Sequence, residues 1–135
     1  ALVECKTLAK LPDGSAVIYQ RTGGNSLVSG RQWIVQVRVK DQTATAVRID
    51  WDLVQHEVAG GKVTGGPWAS SATAHPEAVW TPYNAGSWKF DQTAAAVTYV
   101  VSSDPGGSLP GFMTTQGAVM AFPLELLKVR WGVVP

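Results

Sequence analysis

The residue types that most often carry enzyme chemistry are few in this chain and far apart. The histidines are His56 and His75, and the single cysteine is Cys5. Their spacing matches no known zinc-ligand pattern, and no serine lies in a nucleophile-elbow sequence. We therefore expect both histidines to lie on the surface or in loops, and Cys5 to be a small buried apolar residue.

Two carboxylates, Asp50 and Asp52, alternate with Arg48 along a predicted strand. A carboxylate pair could serve general acid–base catalysis. Charges that alternate with an arginine on a polar strand face are more typical of a solvated surface. The sequence therefore predicts no catalytic residues, no metal site and no cofactor, and we expect that the chain is not an enzyme.

Residues 103–112 read SDPGGSLPGF, and this glycine-rich stretch raises the question of phosphate binding. A phosphate-binding loop follows a parallel strand and carries Lys-Ser/Thr at the start of a helix, whereas no lysine follows here and Asp104 would repel a phosphate. Asp-Pro-Gly-Gly instead predicts a tight turn with glycines at positive φ. Ser108 suits a helix N-cap and Pro110 its first turn. The stretch is predicted to lead from a last strand into a helix.

Composition limits the class of protein. The chain has 135 residues, of which 45% are hydrophobic and 16% charged, with a formal net charge of +1. This is the size of one domain, and its charge gives no basic footprint for nucleic acid. No apolar run approaches the length of a membrane span. So many apolar residues with so little charge predict that some of them line a cavity.

Alternating residues predict a mostly antiparallel sheet. On RQWIVQVRV, Trp33, Val35, Val37 and Val39 share one face, and on AVRIDWDLV the corresponding set is Val47, Ile49, Trp51 and Leu53. Such strands have one dry and one wet face. The predicted strands are residues 6–11, 16–21, 31–39, 46–54, 78–83, 87–91 and 94–102, with turns at 12–15, 40–43, 84–86 and around 92.

Two further segments complete the predicted layout. Residues 55–78 are rich in Gly, Ala and Ser without a sustained period, which predicts a long excursion with at most a short strand. Residues 109–131 carry apolar residues at helical spacing, and Pro123 is expected to kink that helix. The fold class is therefore α+β, with about six strands followed by a long C-terminal helix.

Four stretches, in this order, resemble START domains, the lipid-transfer domains of the StAR-related family. They are AVIYQR, VSGRQWIVQVRV, PYNAGSWKF and VTYVVSSDPGGSLPGF. The resemblance implies a helix-grip fold, in which the C-terminal helix packs across a curved antiparallel sheet, and a single START-like lipid-binding domain over residues 1–135. One departure is Gln32, where the family usually has Asp after the arginine, so a salt bridge from that Asp is not available.

The resemblance covers roughly the last two-thirds of a START domain. The family's N-terminal helix and first strands have no counterpart in these residues, and in the family those strands pair with the last one. The strand predicted at residues 94–102 would then be an exposed edge. We expect a partner segment or a second copy of the chain to cover it.

The resemblance also implies a lipid or sterol-like ligand, held between the sheet and the helix. Arg31 at the mouth, or Gln116 on the helix, would supply the few polar contacts, and transient membrane contact would accompany transfer. The family's bacterial members favour an envelope or periplasmic location and leave the cytoplasm open. The implied wall is Trp33, Val35, Val37, Val47, Ile49 and Trp51, and the implied roof is Phe112, Met113, Gln116 and Met120.

Two other functions stay open at this point. Related helix-grip folds include cyclases and hydrolases of apolar substrates, which would need convergent acid–base residues on the dry face. An interaction module would instead use the exposed edge strand to recruit a peptide or a subunit.

Overall fold

A computed structural model describes residues 2–25, 28–54, 58–59, 62–63, 66–71 and 75–107. The helix predicted for residues 109–131, with Ser108 and Pro110 at its start, lies outside the described residues, as does His56.

Six long strands form one antiparallel sheet. Its order is β1-β2-β3-β4-β8-β9, with β7 pairing parallel to β3, while β5 and β6 form a separate two-stranded sheet. The predicted antiparallel sheet of about six strands is confirmed. The elements are β1 (Leu2–Lys10), β2 (Ala16–Thr22), β3 (Arg31–Gln42), β4 (Ala46–Leu53), β5 (Val58–Ala59), β6 (Lys62–Val63), a 3₁₀ helix (Gly66–Ser71), β7 (Val79–Trp80), β8 (Tyr83–Asp91) and β9 (Ala96–Asp104).

The first hairpin follows from its turn residues. Asp13 Oδ1 accepts hydrogen bonds from the Ser15 hydroxyl at 2.5 Å and the Ser15 N–H at 2.9 Å. Both hydrogen bonds lower the pKa of Asp13, and the bond from the Ser15 hydroxyl has the larger effect. Gly14 has a φ of 82°, a conformation that glycine adopts without the strain that a side chain would cause. The turn predicted at residues 12–15 is therefore confirmed.

Two predicted turns were wrong. The turn placed at residues 40–43 begins later, because an irregularity between Val39 and Asp41 carries β3 on to Gln42. Thr43 Oγ1 then accepts a hydrogen bond from the Ala46 N–H at 3.0 Å, which closes the turn. The turn placed at residues 84–86 does not exist, because these residues lie inside β8.

Two further expectations also differ from the structure. The strand predicted at residues 78–83 is only the two-residue β7, since Pro82 has no N–H to continue a ladder. Cys5 is exposed rather than buried. It lies on β1, whose one hydrogen-bonded neighbour among the described strands is β2, so little covers it.

Strand register assigns the side chains to two faces. The front face carries Trp33, Val35 and Val37, and the back face carries Ile34 and the Tyr19 opposite it. The back face was predicted to be wet, but its β2–β3 end holds the core: Val17, Tyr19 and Ile34 are at most 1% exposed. The partly buried residues packed against them are Leu8, Ala9, Leu11, Val54, Trp68 and Trp80.

Candidate functional site

The front face brings the predicted wall residues of β3 and β4 into register. Val37 lies opposite Trp51, and Val39 lies opposite Ile49. Alternation places Val47 on the same face of β4 and Trp33 on the same face of β3. The six predicted wall positions therefore form one patch across two neighbouring strands.

The patch continues onto β8 and β9. Trp88 lies opposite Ile49 on one side and Tyr99 on the other, and Phe90 lies opposite Val97. The Trp88 and Tyr99 rings are 4.1 Å apart between centroids, and burial raises the pKa of the Tyr99 phenol. Sequence reasoning missed the lining residues of β9, although the spacing of Val97, Tyr99 and Val101 carried the same alternation as β3.

Gly86 allows a tryptophan to lie across β8. A Cβ at position 86 would come within 2.4 Å of Trp51 Cζ2 and 2.3 Å of the Val100 carbonyl oxygen. The Trp51 ring stacks on Tyr99 with centroids 5.8 Å apart and planes 18° from parallel. Its Nε1 donates to Asn84 Oδ1 at 2.8 Å. Gly86, which the sequence placed in a turn, thus leaves open the space that the Trp51 ring occupies.

Burial falls along the front face from one end of β3 to the other. Trp33 is 8% exposed and Val35 2%, whereas Val39 is 58% exposed and Phe90 on β8 is 37% exposed. Trp33 Nε1 donates to Gln20 Oε1 at 2.8 Å, so its one polar atom is satisfied. Beyond Phe90, the turns at the ends of the strands border a groove of about 440 Å³. The front face is therefore open at its β3–β4 turn end.

Arg31 holds the turn that follows β9. Its Nε donates to the Pro105 carbonyl oxygen at 2.8 Å, and another guanidinium nitrogen donates to the Gly106 carbonyl oxygen at 3.1 Å. The remaining nitrogen donates to the Ser29 carbonyl oxygen. Gly106 and Gly107 have φ values of 64° and 72°, as the Asp-Pro-Gly-Gly interpretation predicted. The structure therefore places Arg31 beside the turn, with three carbonyl partners.

Gln32 explains the departure from the family's Asp. It is 3% exposed, and its Nε2 donates to the carbonyl oxygens of Ala78 at 2.8 Å and His75 at 3.1 Å. Its Oε1 accepts the Tyr19 hydroxyl at 3.1 Å. A carboxylate has no N–H to donate to these two carbonyl groups, so only the neutral amide satisfies all three partners. This network was not foreseen from the sequence.

The back face of β3, β4 and β8 is charged and paired. Arg38 bonds Asp52, and Arg48 Nε donates to Asp50 Oδ1 at 2.7 Å. The hydrogen bond that Arg48 donates to Asp50, and then the charge of Asp50, raise the pKa of Arg48. Asp52 is about half exposed at 53% of its side chain. The two carboxylates therefore belong to surface ion pairs and not to the front face.

In the described part of the chain, no group of three or more His, Cys, Asp or Glu side chains could hold a metal ion. The same residues contain no helix with both the length and the apolar character needed to cross a bilayer.

The described fold is similar to that of a solved structure. The crystal structure of human STARD10, a START domain, matches with a TM-score of 0.71 and 18% sequence identity. The described chain has a START-like fold. The match covers 94% of this chain and 47% of the STARD10 chain, so this chain spans about half the length of that one. No protein-family model and no curated protein sequence matches.

This match confirms the START-like fold predicted from the four stretches. The predicted roof residues Phe112, Met113, Gln116 and Met120 lie outside the described residues. The wall residues of β3 and β4 lie together on the front face, as the register shows.

Proposed function

We propose that this chain binds a lipid or sterol-like apolar molecule against the front face and acts as a carrier without enzymatic activity. The observation that supports the proposal best is the continuous apolar surface across β3, β4, β8 and β9 on a START-like sheet. Large apolar patches of this kind mark binding surfaces in soluble proteins. Predicted roof residues Phe112, Met113, Gln116 and Met120 would cover the ligand from the other side.

The polar atoms of the front face favour a ligand that is mostly hydrocarbon. The indole nitrogens of Trp33 and Trp51 already donate to Gln20 and Asn84. Arg31, the candidate polar anchor, already donates to three backbone carbonyl groups, although a guanidinium has two more N–H groups. Binding would therefore depend on apolar burial, which contributes roughly 0.8 kcal/mol for each CH₂ group.

The carboxylates support the non-enzymatic proposal. Asp50 and Asp52 lie on the back face, each bonded to an arginine. An acid–base pair acting on an apolar substrate must lie within hydrogen-bond reach of the reacting atoms. The wall residues proposed here, which are Trp33, Val35, Val37, Val47, Ile49 and Trp51, carry no acid or base.

Native mass spectrometry of the purified chain, followed by organic extraction, tests the proposal. We expect a stoichiometric adduct that is lost on extraction and is identified as a lipid. The spectrum also reports whether a second polypeptide or a second copy of the chain is bound. Such a partner is expected at β9, whose one hydrogen-bonded neighbour in the described sheet is β8. A clean monomer that takes up no sterol, fatty acid or phospholipid would contradict the proposal.

Neighbouring valines on β9 supply a matched pair of variants. Val101 lies on the front face opposite Gly86, whereas Val100 lies on the back face opposite Ser87 and is 57% exposed. We expect Val101→Gln to weaken lipid binding about tenfold, because burying an unpaired amide costs about 1–3 kcal/mol. Val100→Gln should leave binding unchanged. Equal losses in both variants would place the lipid elsewhere.

A carrier must also meet the membrane that supplies its ligand. We propose that this contact is transient, and co-sedimentation with phosphatidylcholine vesicles tests it. The expected result is transfer of lipid from vesicles to protein without stable retention of the protein on the vesicles.

A further inference from the structure

His75 lies between two carboxylates from different parts of the chain. It stands just before β7, where residues 55–78 return to the sheet. Its Nδ1 is 3.0 Å from Glu77 Oε1, and its Nε2 is 3.0 Å from Glu4 Oε2 on β1. The His75 side chain is 19% exposed, and its Nε2 atom is buried without a hydrogen-bond partner among the described residues. Nδ1 is therefore hydrogen-bonded to Glu77, whereas Nε2 lies at ion-pair distance from Glu4.

The number of protons on the ring decides whether both contacts are favourable. A neutral imidazole has one N–H, so it can donate to one carboxylate and must direct a lone pair at the other. An imidazolium has two N–H groups and a positive charge, so it can donate to Glu77 and form an ion pair with Glu4. Histidine is the side chain whose charge ordinarily changes between about pH 5 and 8. The arrangement consequently suits the doubly protonated ring.

The charges around His75 also favour the doubly protonated ring. Arg21 on β2 places Nε 3.2 Å from Glu4 Oε2 and a terminal nitrogen 3.8 Å from Glu77 Oε1. With a neutral ring these four groups sum to one negative charge, and with a charged ring they sum to zero. The Glu77 backbone N–H, and then the His75 ring, lower the pKa of Glu77.

Two more titratable groups face the cluster from the sheet. Lys6 on β1 lies opposite Tyr19 on β2, two positions along from the pair of Glu4 and Arg21. Burial, followed by the Glu4 charge, raises the pKa of Tyr19. The Tyr19 hydroxyl donates to Gln32 Oε1 at 3.1 Å, so this phenol stays neutral and keeps its partner over the range in which histidine titrates.

The backbone of His75 is fixed as well as its ring. Its carbonyl oxygen accepts from Gln32 Nε2 at 3.1 Å and from the Ala78 N–H at 3.1 Å. The next N–H, that of Val79, donates to the Gly30 carbonyl oxygen at 2.9 Å and begins β7. Loosening the ring would therefore weaken the hydrogen bonds that the Ala78 and Val79 amides donate.

We propose that His75 is a proton-dependent latch that joins the return of residues 55–78 to the β1–β2 end of the sheet. The latch is closed when the ring carries protons on both nitrogens. It is fully closed below the range in which histidine titrates and loosens as the pH rises through that range. The latch does not depend on a bound lipid, so its test is separate from that of the proposed function.

Nitrogen-15 NMR of the full chain measures the protonation of the two His75 ring nitrogens. Amide hydrogen exchange measures the protection of the Ala78 and Val79 amides, which reports whether the latch is closed. At pH 6 we expect both His75 nitrogens to carry protons. Between pH 6 and 8 we expect the protection factors of the Ala78 and Val79 amides to fall about tenfold, the factor that corresponds to 1.4 kcal/mol. His75→Gln should remove this pH response, and His56→Gln, which changes the other histidine, should retain it.

A second variant keeps the proposal testable if His75→Gln does not fold. Glu4→Gln leaves the ring facing one carboxylate, so we expect a smaller pH response of the same two amides. A ring with one proton at pH 6 in the unchanged protein would overturn the latch. So would an undiminished pH response of both amides in His75→Gln.

Discussion

The strands β1–β3 and the strands β4, β8 and β9 carry similar alternating patterns, but they bury them differently. At the junction of β2 and β3, both faces of the sheet are covered: Ile34 is 0% exposed on the back and Val35 2% on the front. On β4 the back face carries ion-paired charges, on β9 it leaves Val100 57% exposed, and the front face of β4, β8 and β9 is only half-buried. Trp51, Trp88 and Tyr99 lie on that front face.

Under the proposed function, this difference separates stability from binding within one sheet. Of the proposed wall, Trp33 and Val35 are buried and mainly hold the strands together. The half-buried members, which are proposed to contact the ligand, are Val37, Val47, Ile49 and Trp51. The aromatic residues divide in the same way, since Tyr19 is 0% exposed whereas Phe90 is 37% exposed. Hydrophobicity alone therefore does not distinguish the proposed binding surface from the core, whereas the remaining exposure of the side chains does.

The largest expected effect lies in the doubly covered half. Ile34→Ala should reduce the free energy of unfolding by about 2–5 kcal/mol, because it leaves a cavity among Val17 and Tyr19. Urea denaturation followed by tryptophan fluorescence measures it. Val100→Ala, at a position that is 57% exposed, is the control and should cost under about 0.5 kcal/mol. Equal losses would mean that the two halves do not differ as described.

The next effect belongs to the open half. Gly86→Ala introduces a Cβ that would meet Trp51 and the Val100 carbonyl oxygen, and we expect a loss of about 1–3 kcal/mol from overpacking. The displaced indole should also change the near-UV circular dichroism. Ser87→Ala, at the next position and on the back face, should alter neither. An unchanged spectrum for Gly86→Ala would show that the close approach of Trp51 is not rigid.

A pair on one strand tests the gradient of burial itself. Val35 and Val39 share the front face of β3, but they are 2% and 58% exposed. Val35→Ala should cost roughly 2 kcal/mol and Val39→Ala less than about 0.5 kcal/mol. Thermal and urea unfolding of both variants give the comparison. If Val39→Ala costs as much as Val35→Ala, that end of the front face is packed and not available to a ligand.

The smallest effect concerns the first hairpin. The pKa of Asp13 is lowered from 3.8, so its contribution to stability is present above pH 3.8 and is lost as the pH falls through the lowered value. We expect Asp13→Asn to make the urea midpoint less sensitive to acidification from pH 5 to pH 3. Asp52→Asn serves as the control for loss of one carboxylate. If Asp13→Asn leaves the acid sensitivity of the urea midpoint unchanged, the first hairpin turn does not contribute to that sensitivity.

The sequence was sufficient for features that depend on local patterns. Alternation on β3 and β4 correctly placed Val37 and Val39 on the same face as Trp51 and Ile49, and Asp-Gly located the first turn. The START-like fold followed from four short stretches and is confirmed by the match to STARD10. Each of these depends on residues that are close in the chain or repeat with a period of two.

Features that depend on distant neighbours were not predictable. Gly86 was interpreted as a turn because its local sequence does not show that Trp51 lies over it. Ile34 was placed on a wet face because alternation cannot show that Trp68 and Trp80 cover that end of the sheet. His75 was correctly expected on the surface or in a loop, but its contact with Glu4 could not be predicted. Glu4 lies on β1, far from His75 in the chain and at the opposite edge of the described sheet from β9.

The hydrogen bonds from Arg31 to the turn after β9 have a consequence for the order of folding. They join residues that are 74 and 75 positions apart in the chain. Contacts of such long sequence separation form after local hairpins, because closing the intervening loop costs entropy that early contacts do not repay. We therefore expect the bonds to be absent from the transition state, so that Arg31→Gln speeds unfolding and leaves the folding rate nearly unchanged. The residue that begins β3 would thus govern how long the native sheet survives.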